Sequence, residues 1–548
     1  MAINYAKLFN RRATTQSRAI PGSTQVANSA GGYSWQVNDW MRLDRFLILG
    51  AEGGTYYIGE GDLVKQNHDA VVRCIQADGS RVVKRIVEIS DAGRAPKNDP
   101  AIFVLALVVT HGDAAAKAEA FANLRKVCRI GTHLFHFAEY VNAMRGWGRG
   151  LRNAVANWYR AQSADQLALQ AVKYQQRDGW SHADLLRLAH AEAPTREHDA
   201  VFRWMLSGSQ ALGERTVTRK VNGHNRVANY GSVGELPDMI AAFEQAKRAS
   251  NKDEIVKLIT DHDLPREAVP TQWLNEVAVW ETLLDRMPMT AMIRNLGKMT
   301  AVGLLKPFSF AARRVAEKLR DETALKRARV HPMAILIAEK IYAQGRGAKG
   351  DLTWDPLAKI VEALDDAFYA TFSNVEPCGK PMLLALDVSG SMGGSKIAGS
   401  CLSAREASAA LALITAATET EYHIMGFSDR FTPLNISPRM RLDDAVKRIG
   451  NLPFQATDCA LPMVWARKNK LRVSGFITYT DSETWAGNIH PSQALRAYRD
   501  EFVGDAKAVV VGMTSNGFTI ADPNDRGMLD VVGFDTTVPA VISDFVRE

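Results

Sequence analysis

Asp387, Ser389 and Ser391 occupy every second position of Asp387-Val388-Ser389-Gly390-Ser391-Met392, which closes the apolar run Met382–Val388. One carboxylate and two hydroxyls so spaced are hard oxygen donors, the kind Mg²⁺ takes while keeping several of its waters. Thr457-Asp458, in a later loop, and Asp481, just after the run Val473–Thr478, add a neutral hydroxyl and another carboxylate. Ser389, Ser391 and Thr457 can supply neutral ligands to a divalent metal cation, Mg²⁺ being the expected one, while Asp387 and Asp481 accept hydrogen bonds from its waters. An Asp-x-Ser-x-Ser run can also be an ordinary strand-to-helix turn whose hydroxyls cap the helix near Leu402. No nucleophile, general base or second metal cluster accompanies the motif, so binding is expected and an enzyme is not.

A second chemistry is written in cations. Lys117–Arg160 contains Arg125, Lys126, Arg129, Arg145, Arg149 and Arg152, with Trp147 and Trp158 interleaved. Arg203–Asn229 adds Arg215, Arg219, Lys220, His224 and Arg226, and Lys306–Arg329 reads KPFSFAARRVAEKLRDETALKRAR. Guanidinium groups position phosphates and aromatic rings stack unpaired bases. Solvated helix faces and core tryptophans give the same pattern, so these segments alone decide nothing. The run Lys173–His190 is more specific. Ser181 followed by Asp184 reads as a helix N-cap, with Leu185, Leu186 and Leu188 on the buried side. Arg187 and His190, three apart, are expected to share another side. Lys173 and Arg177, four apart at the end of the preceding helix, are expected to project together and meet His190 across the Gly179-Trp180 turn. His182 and His190, on chemistry alone, read as core or capping histidines.

The elements that hold these groups follow from length and patterning. At 548 residues, 46% hydrophobic and 23% charged, the chain is globular and long enough for two or more domains. Residues 1–372 hold 50 Lys and Arg against 40 Asp and Glu, a net of +10, whereas residues 373–548 hold 17 against 20, a net of −3. A positive field confined to the first two-thirds suits a polyanionic partner there. No signal peptide or membrane span is legible, and the five cysteines stand singly, so a soluble cytoplasmic chain with reduced thiols is expected; a monomer is expected as well. After an N-terminal arm, residues 1–22, the glycine- and aromatic-rich stretch Gly31–Gly61 predicts turns and short packed segments. Amphipathic periodicity then predicts serial helices, among them Pro100–Thr110, Ala114–Val127, Leu151–Gln162, Ser163–Gln175, Ser181–Ala193, Leu236–Arg248, Lys252–Asp261, Thr271–Arg286 and Phe310–Glu322. Short links between such helices make an α-solenoid, here residues 23–372. Ser373–Pro381 breaks the pattern. Beyond it, strand-like runs at Met382–Val388, Tyr422–Phe427, Val473–Thr478, Lys507–Gly512 and Val531–Phe534 alternate with helical ones, predicting a doubly wound parallel sheet over residues 373–548 with its ligand site at the strand carboxyl ends.

Two resemblances extend this reading. The Asp387, Ser389, Ser391, Thr457 and Asp481 set resembles the metal-ion-dependent adhesion site of von Willebrand A domains, which implies direct ligation by the hydroxyls and water-mediated support from the aspartates. The stretches GGYSWQVNDWMRLDRFLILGAEGGTYYI, VCRIGTHLFHF, KYQQRDGWSHADLLRLAH, NLGKMTA and GMTSNGFTIADPNDRGMLDVVGFDT, spread from Asn28 to Asp535, are similar to the Ro autoantigen (SS-A) ribonucleoprotein family, and the chain is identified as a bacterial-type member. The resemblance implies an α plus α/β fold: a HEAT-like helical-repeat toroid, the TROVE domain, followed by a von Willebrand A (Rossmann-like) domain. It implies Y RNA-like small noncoding RNA bound on the outer surface at Lys173, Arg177 and His190, with the wider RNA-binding region near Asn123–Met287. Single-stranded 3′ ends of misfolded RNAs would enter a basic central hole, in RNA quality control with a 3′–5′ exoribonuclease as partner. The rival readings are a metal-dependent protein-interaction scaffold, in which the cation grips an acidic residue of a partner, and a metal-dependent ribonuclease.

Overall fold

The computed structural model describes the chain apart from residues 1–12, 52–59, 93, 96, 209–214, 222, 223, 231–235, 329, 331, 348, 349, 375, 376, 395–400, 515, 516, 533–536 and 548. Helices follow one another from Asp39–Leu49 to Ala358–Ala370. Their starts are set by side chains that accept orphan N–H groups: Asp113 for Ala114–Ala122, Thr195 for Arg196–Ser207, Asn251 for Lys252–His262. Ser163 with Gln166 and Ser181 with Asp184 form reciprocal capping boxes.

Two expectations for this region are corrected. Gly31–Gly61 is not merely turns, because Asp39–Leu49 is a helix: Asn38 accepts from the Met41 N–H, Asp39 sits in the first turn, and Gly50 ends the helix at φ 66°. The Ala51–Glu60 part of that stretch falls largely outside the described residues. Within the region read as helical, Arg215–Val221 and His224–Tyr230 form an antiparallel hairpin.

The α/β domain carries six strands in the order Met528–Val532, Lys507–Gly512, Gly475–Thr480, Met382–Asp387, Tyr422–Phe427, Phe431–Pro433. All neighbours are parallel except the last pair, a hairpin that leaves Phe431–Pro433 at the edge. Side chains alternate across the sheet: Leu384 and Leu386 enter the core shared with the helical array, while Leu383 and Ala385 enter a second core with Phe427, Phe476 and Tyr498. The chain leaves Met382–Asp387 toward one side and returns through Gly475–Thr480 on the other, so these two strands flank the topological switch point.

Both ends of the array dock on this domain. At the start, Tyr33–Gln36 pairs with Phe518–Thr519, and the buried Arg45 of the first helix makes a 2.6 Å ion pair with Asp530 and donates to Phe518 O at 2.9 Å. At the end, Lys340 pairs with Glu406, Arg441 lies 3.6 Å from Asp365, and Tyr369 donates to Met440 O at 3.1 Å. The array is thereby closed through the α/β domain, a feature that helical periodicity does not encode.

Candidate metal centre and nucleic-acid interface

The switch point brings three loops together. Leu386 is in register with Tyr479, so Asp387 and Thr480 fall side by side where the two strands end, and the Thr480 hydroxyl donates to Asp387 Oδ2 at 2.7 Å. The Ser389 N–H donates to Asp387 Oδ1 at 2.8 Å, which turns the loop so that the Ser389 and Ser391 hydroxyl oxygens lie 2.8 Å apart. Thr457 is buried, and its carbonyl accepts from the Trp485 and Ala486 N–H groups, each at 3.1 Å. The Thr484 hydroxyl donates to the same carbonyl at 3.3 Å and accepts from the Cys459 N–H at 3.1 Å. Asp387, Ser389 and Ser391 thus share a buried network with Thr480, and Asp481 joins it through Ser391, whereas Thr457 is tied by its carbonyl to the Thr484–Ala486 loop.

Its electrostatics suit a cation. Burial, then the charge of Asp481, pushes the Asp387 carboxyl up to about 7; burial also raises Asp481 and Asp458. Glu483 is likewise pushed up to about 7 by burial and by Asp481. Among the described residues no lysine or arginine forms an ion pair with Asp387. Arg405 lies close, yet it donates to Val388 O at 3.2 Å and Ser389 O at 3.0 Å, fixing the loop backbone instead of neutralising the carboxylate. No cluster of three or more His, Cys, Asp or Glu side chains is placed to hold a metal among the described residues. The oxygen donors brought together are carboxylates and hydroxyls, a donor set whose chemistry fits Mg²⁺.

Sequence reasoning missed Thr480, Arg405 and the role of the N-terminal arm. The described part of the arm, from Ala13, lies along the loops that carry Asp458 and Thr484. Gln16, fully buried, donates to Asp458 Oδ1 at 2.7 Å and Ile489 O at 2.8 Å and accepts from the Thr484 hydroxyl. Asn28 donates to Thr484 O at 2.8 Å, and the Ala30 N–H donates to Glu483 at 3.2 Å. Gly32 approaches so closely that a Cβ there would lie 1.9 Å from Thr484 O. Thr480 had a signal, a hydroxyl ending a strand beside Asp481. Gln16 had none, since its partners lie more than 440 residues away.

The basic residues are less uniformly placed. The helix Ala164–Lys173 stops at Lys173, and Arg177 lies on the strand Gln176–Arg177, paired with Trp180–Ser181. Lys173 and Arg177 are thus not one helical face. The reason is the Asp178-Gly179 turn, with both residues at positive φ (51° and 80°), which is the chemistry of a two-residue hairpin. The hairpin is pinned to the helix Gly131–Met144 by His136 with Asp178, 2.5 Å, and by Trp180 donating to Glu139 at 2.7 Å. His190 is likewise not on a side shared with Arg187: it is the left-handed cap, φ 51°, that ends His182–Ala189. Arg177 and His190 are exposed, and Lys173 is half-buried with its ammonium 5.5 Å from the Tyr174 ring centroid.

Arg187 divides its donors between Leu206 O, 3.2 Å, and Asp184, 3.7 Å. Arg125 donates to Ala161 O at 2.6 Å, and Arg129 to Lys126 O at 2.9 Å and Ser90 at 3.1 Å, so both serve the fold. Lys126 and Arg149 are exposed without an ion pair among the described residues. Arg215, Arg219 and Lys220 lie on the 215–221 strand, their side chains outside the described residues. Trp158 is core, donating to Cys128 O at 2.5 Å; His182 is core too, against Tyr159 at 2.8 Å, and burial pushes it down to about 4.

Residues 26–380 match the TROVE domain, and residues 381–546 match the Ro60 vWA domain. The chain belongs to the Ro60 family. It is similar to the RNA-binding protein RO60 of Deinococcus radiodurans, 40% identical over 526 residues that cover 95% of each chain. It is 38% identical over 582 residues to the RNA-binding protein RO60 of Caenorhabditis elegans, covering 95% of this chain and 90% of that one. Among solved structures, the crystal structure of the Deinococcus radiodurans RO (RSR) protein matches with a TM-score of 0.70 at 39% identity, over 93% of this chain and 99% of that one. No helix among the described residues of this Ro60-family chain is long and apolar enough to cross a membrane.

Proposed function

We propose that this chain is a non-catalytic RNA-binding protein of noncoding-RNA quality control in the cytoplasm. A Y RNA-like small structured RNA lies on the outer surface at Lys173, Arg177 and His190. Single-stranded 3′ ends of misfolded RNAs enter the basic hole of the closed array, and a 3′–5′ exoribonuclease is the downstream partner. The observation that carries the reading is the pinned Gln176–Ser181 hairpin. It holds Arg177 in solvent between the helix that ends at Lys173 and the one that His190 caps. A rigid scaffold presenting a cationic side chain in this way meets a phosphate at little entropic cost. The relatives' names as RNA-binding proteins support the same class of ligand.

Ser389, Ser391 and Thr457 would hold the Mg²⁺, with Asp387 and Asp481 behind its waters. Bound there, the cation supplies a Lewis-acidic position able to take an acidic oxygen ligand. The protein's own part is to keep the two carboxylates buried and the loops fixed. RNA binding is tested by gel-shift titration at several salt concentrations with a structured RNA carrying a single-stranded 3′ tail and with the same RNA lacking it. Tail-dependent affinity that falls with salt is expected. Equal, weak binding of both RNAs would reject the reading and favour a metal-dependent protein scaffold.

A further inference from the structure

The basic segment Lys306–Arg329 takes no part in the Lys173–His190 surface, yet it opens on two unusual side chains. Phe308 is 99% exposed and Phe310 is 73% exposed. Phe308 also stands at φ 64°, a left-handed conformation that costs a bulky L residue free energy and that burial does not repay here. The turn that imposes it is well tied. The Ser309 hydroxyl accepts from the Lys306 and Ala312 N–H groups, both at 3.2 Å, and the Ser309 N–H donates to Lys306 O at 3.1 Å. Folding explains neither ring, since both are held outward on a rigid turn at the start of the helix Phe310–Arg320.

The cations around them separate into two groups. Arg314 pairs with Asp285, Lys318 donates to Met287 O at 2.9 Å and Arg320 pairs with Asp366, so these three serve packing. Lys306 and Arg313 are exposed and form no ion pair among the described residues. Lys306 precedes Phe308 by two positions; Arg313 follows Phe310 by three and shares its helix side. Rigid aromatic faces beside unpaired cations, in the part of the chain that carries net +10, are complementary to unpaired nucleotides: rings stack bases while cations meet phosphates.

We propose that Phe308 and Phe310 form a base-stacking platform for single-stranded RNA, with Lys306 and Arg313 holding the adjoining phosphates. This rests on the RNA-binding reading above and adds a site to it. The test measures binding of the full chain and its Phe308→Ala/Phe310→Ala variant to a labelled oligouridylate and to an abasic strand of equal length, by fluorescence anisotropy at several salt concentrations. The variant should lose roughly tenfold or more on oligouridylate, keep the wild-type salt slope and match wild type on the abasic strand. An unchanged melting temperature checks that the exposed substitutions spare the fold. Equal affinities of the two proteins for oligouridylate, with wild type binding normally, would overturn the platform and leave RNA binding intact. An equal loss on the abasic strand also overturns it, because stacking then plays no part. If the variant keeps its RNA affinity but sediments as a smaller species than wild type, the rings are a protein contact instead. Failure of wild type to bind any of the strands overturns the RNA reading and this site together.

Discussion

Asp387 and Asp481 lie buried beside one another with Ser389 and Ser391 in front of them, an arrangement costly to keep charged unless a cation joins it. The cost makes a signed prediction. In EDTA, Asp387→Asn should stabilise the protein by on the order of 2 kcal/mol, because it removes one of two like charges from a dry site. Saturating Mg²⁺ should raise the melting temperature of wild type and leave that of Asp387→Asn or Ser391→Ala unmoved, as read by calorimetry with and without chelator. A wild type indifferent to Mg²⁺ would remove the metal centre. At the RNA surface, Lys173→Ala/Arg177→Ala should weaken structured RNA and lower the log–log salt slope by about 0.9 for each phosphate that is no longer neutralised. An unchanged slope in the gel-shift titration would take both residues out of the interface.

At the scale of elements, the first helix and the N-terminal arm hold the two domains to one another. Arg45 and Asp530 form an ion pair whose side chains are only 1% and 3% exposed. Removing one partner strands the other in a dry place, so Arg45→Ala should cost about 3 kcal/mol in urea unfolding, against a few tenths for an exposed pair such as Arg467→Ala with Glu501. Gly32→Ala places a methyl against Thr484 O and should loosen the N-terminal segment from the loop that carries Asp481 and Thr484. Its expected signature is weaker Mg²⁺ binding in titration calorimetry with the helical circular dichroism unchanged. Much at this scale was legible in the sequence. Tyr422–Phe427 and Lys507–Gly512 have the bounds that patterning predicts, because hydrophobic runs are local signals. The Ser181–Asp184 capping box was legible for the same reason. The helix Asp39–Leu49 was hidden by the glycines and aromatics around it, and the Arg177 hairpin by an Asp-Gly turn that continues a helical-looking pattern.

For the whole molecule, buried titratable groups set the acid limb of stability. Burial pushes His182 and His133 down to about 4, below the ordinary 6.5. The unfolded chain therefore binds more protons than the folded one between those values, so stability is full above about 6.5 and is lost as pH falls toward 4. Each histidine contributes up to roughly 3 kcal/mol to this slope. Asp387 and Glu483, raised to about 7, act with the opposite sign: without metal they destabilise the fold as pH rises through 7. In EDTA the two trends should oppose one another between pH 4 and 7, whereas Mg²⁺ should expose the histidine slope. Urea midpoints across that range with and without Mg²⁺ would check this, and parallel curves would reject it.

The sequence by itself determined most of the segments that become helix or strand, that a hydroxyl–carboxylate set ends the first strand of an α/β sheet, and that the positive charge sits in the first two-thirds. These are short-range properties, readable from spacing because cap, period and composition act over a few residues. Tertiary structure alone decided that Asp387 and Thr480 meet at the switch point, that Gln16 reaches Asp458 and Thr484, and that both ends of the array close on one domain. It also decided how the cations are engaged, since Arg125 and Arg129 turn to backbone carbonyls while Arg177 stays exposed with Asp178 at 3.7 Å. Such contacts join residues hundreds of positions apart, and their energies exist only once packing has brought the partners together.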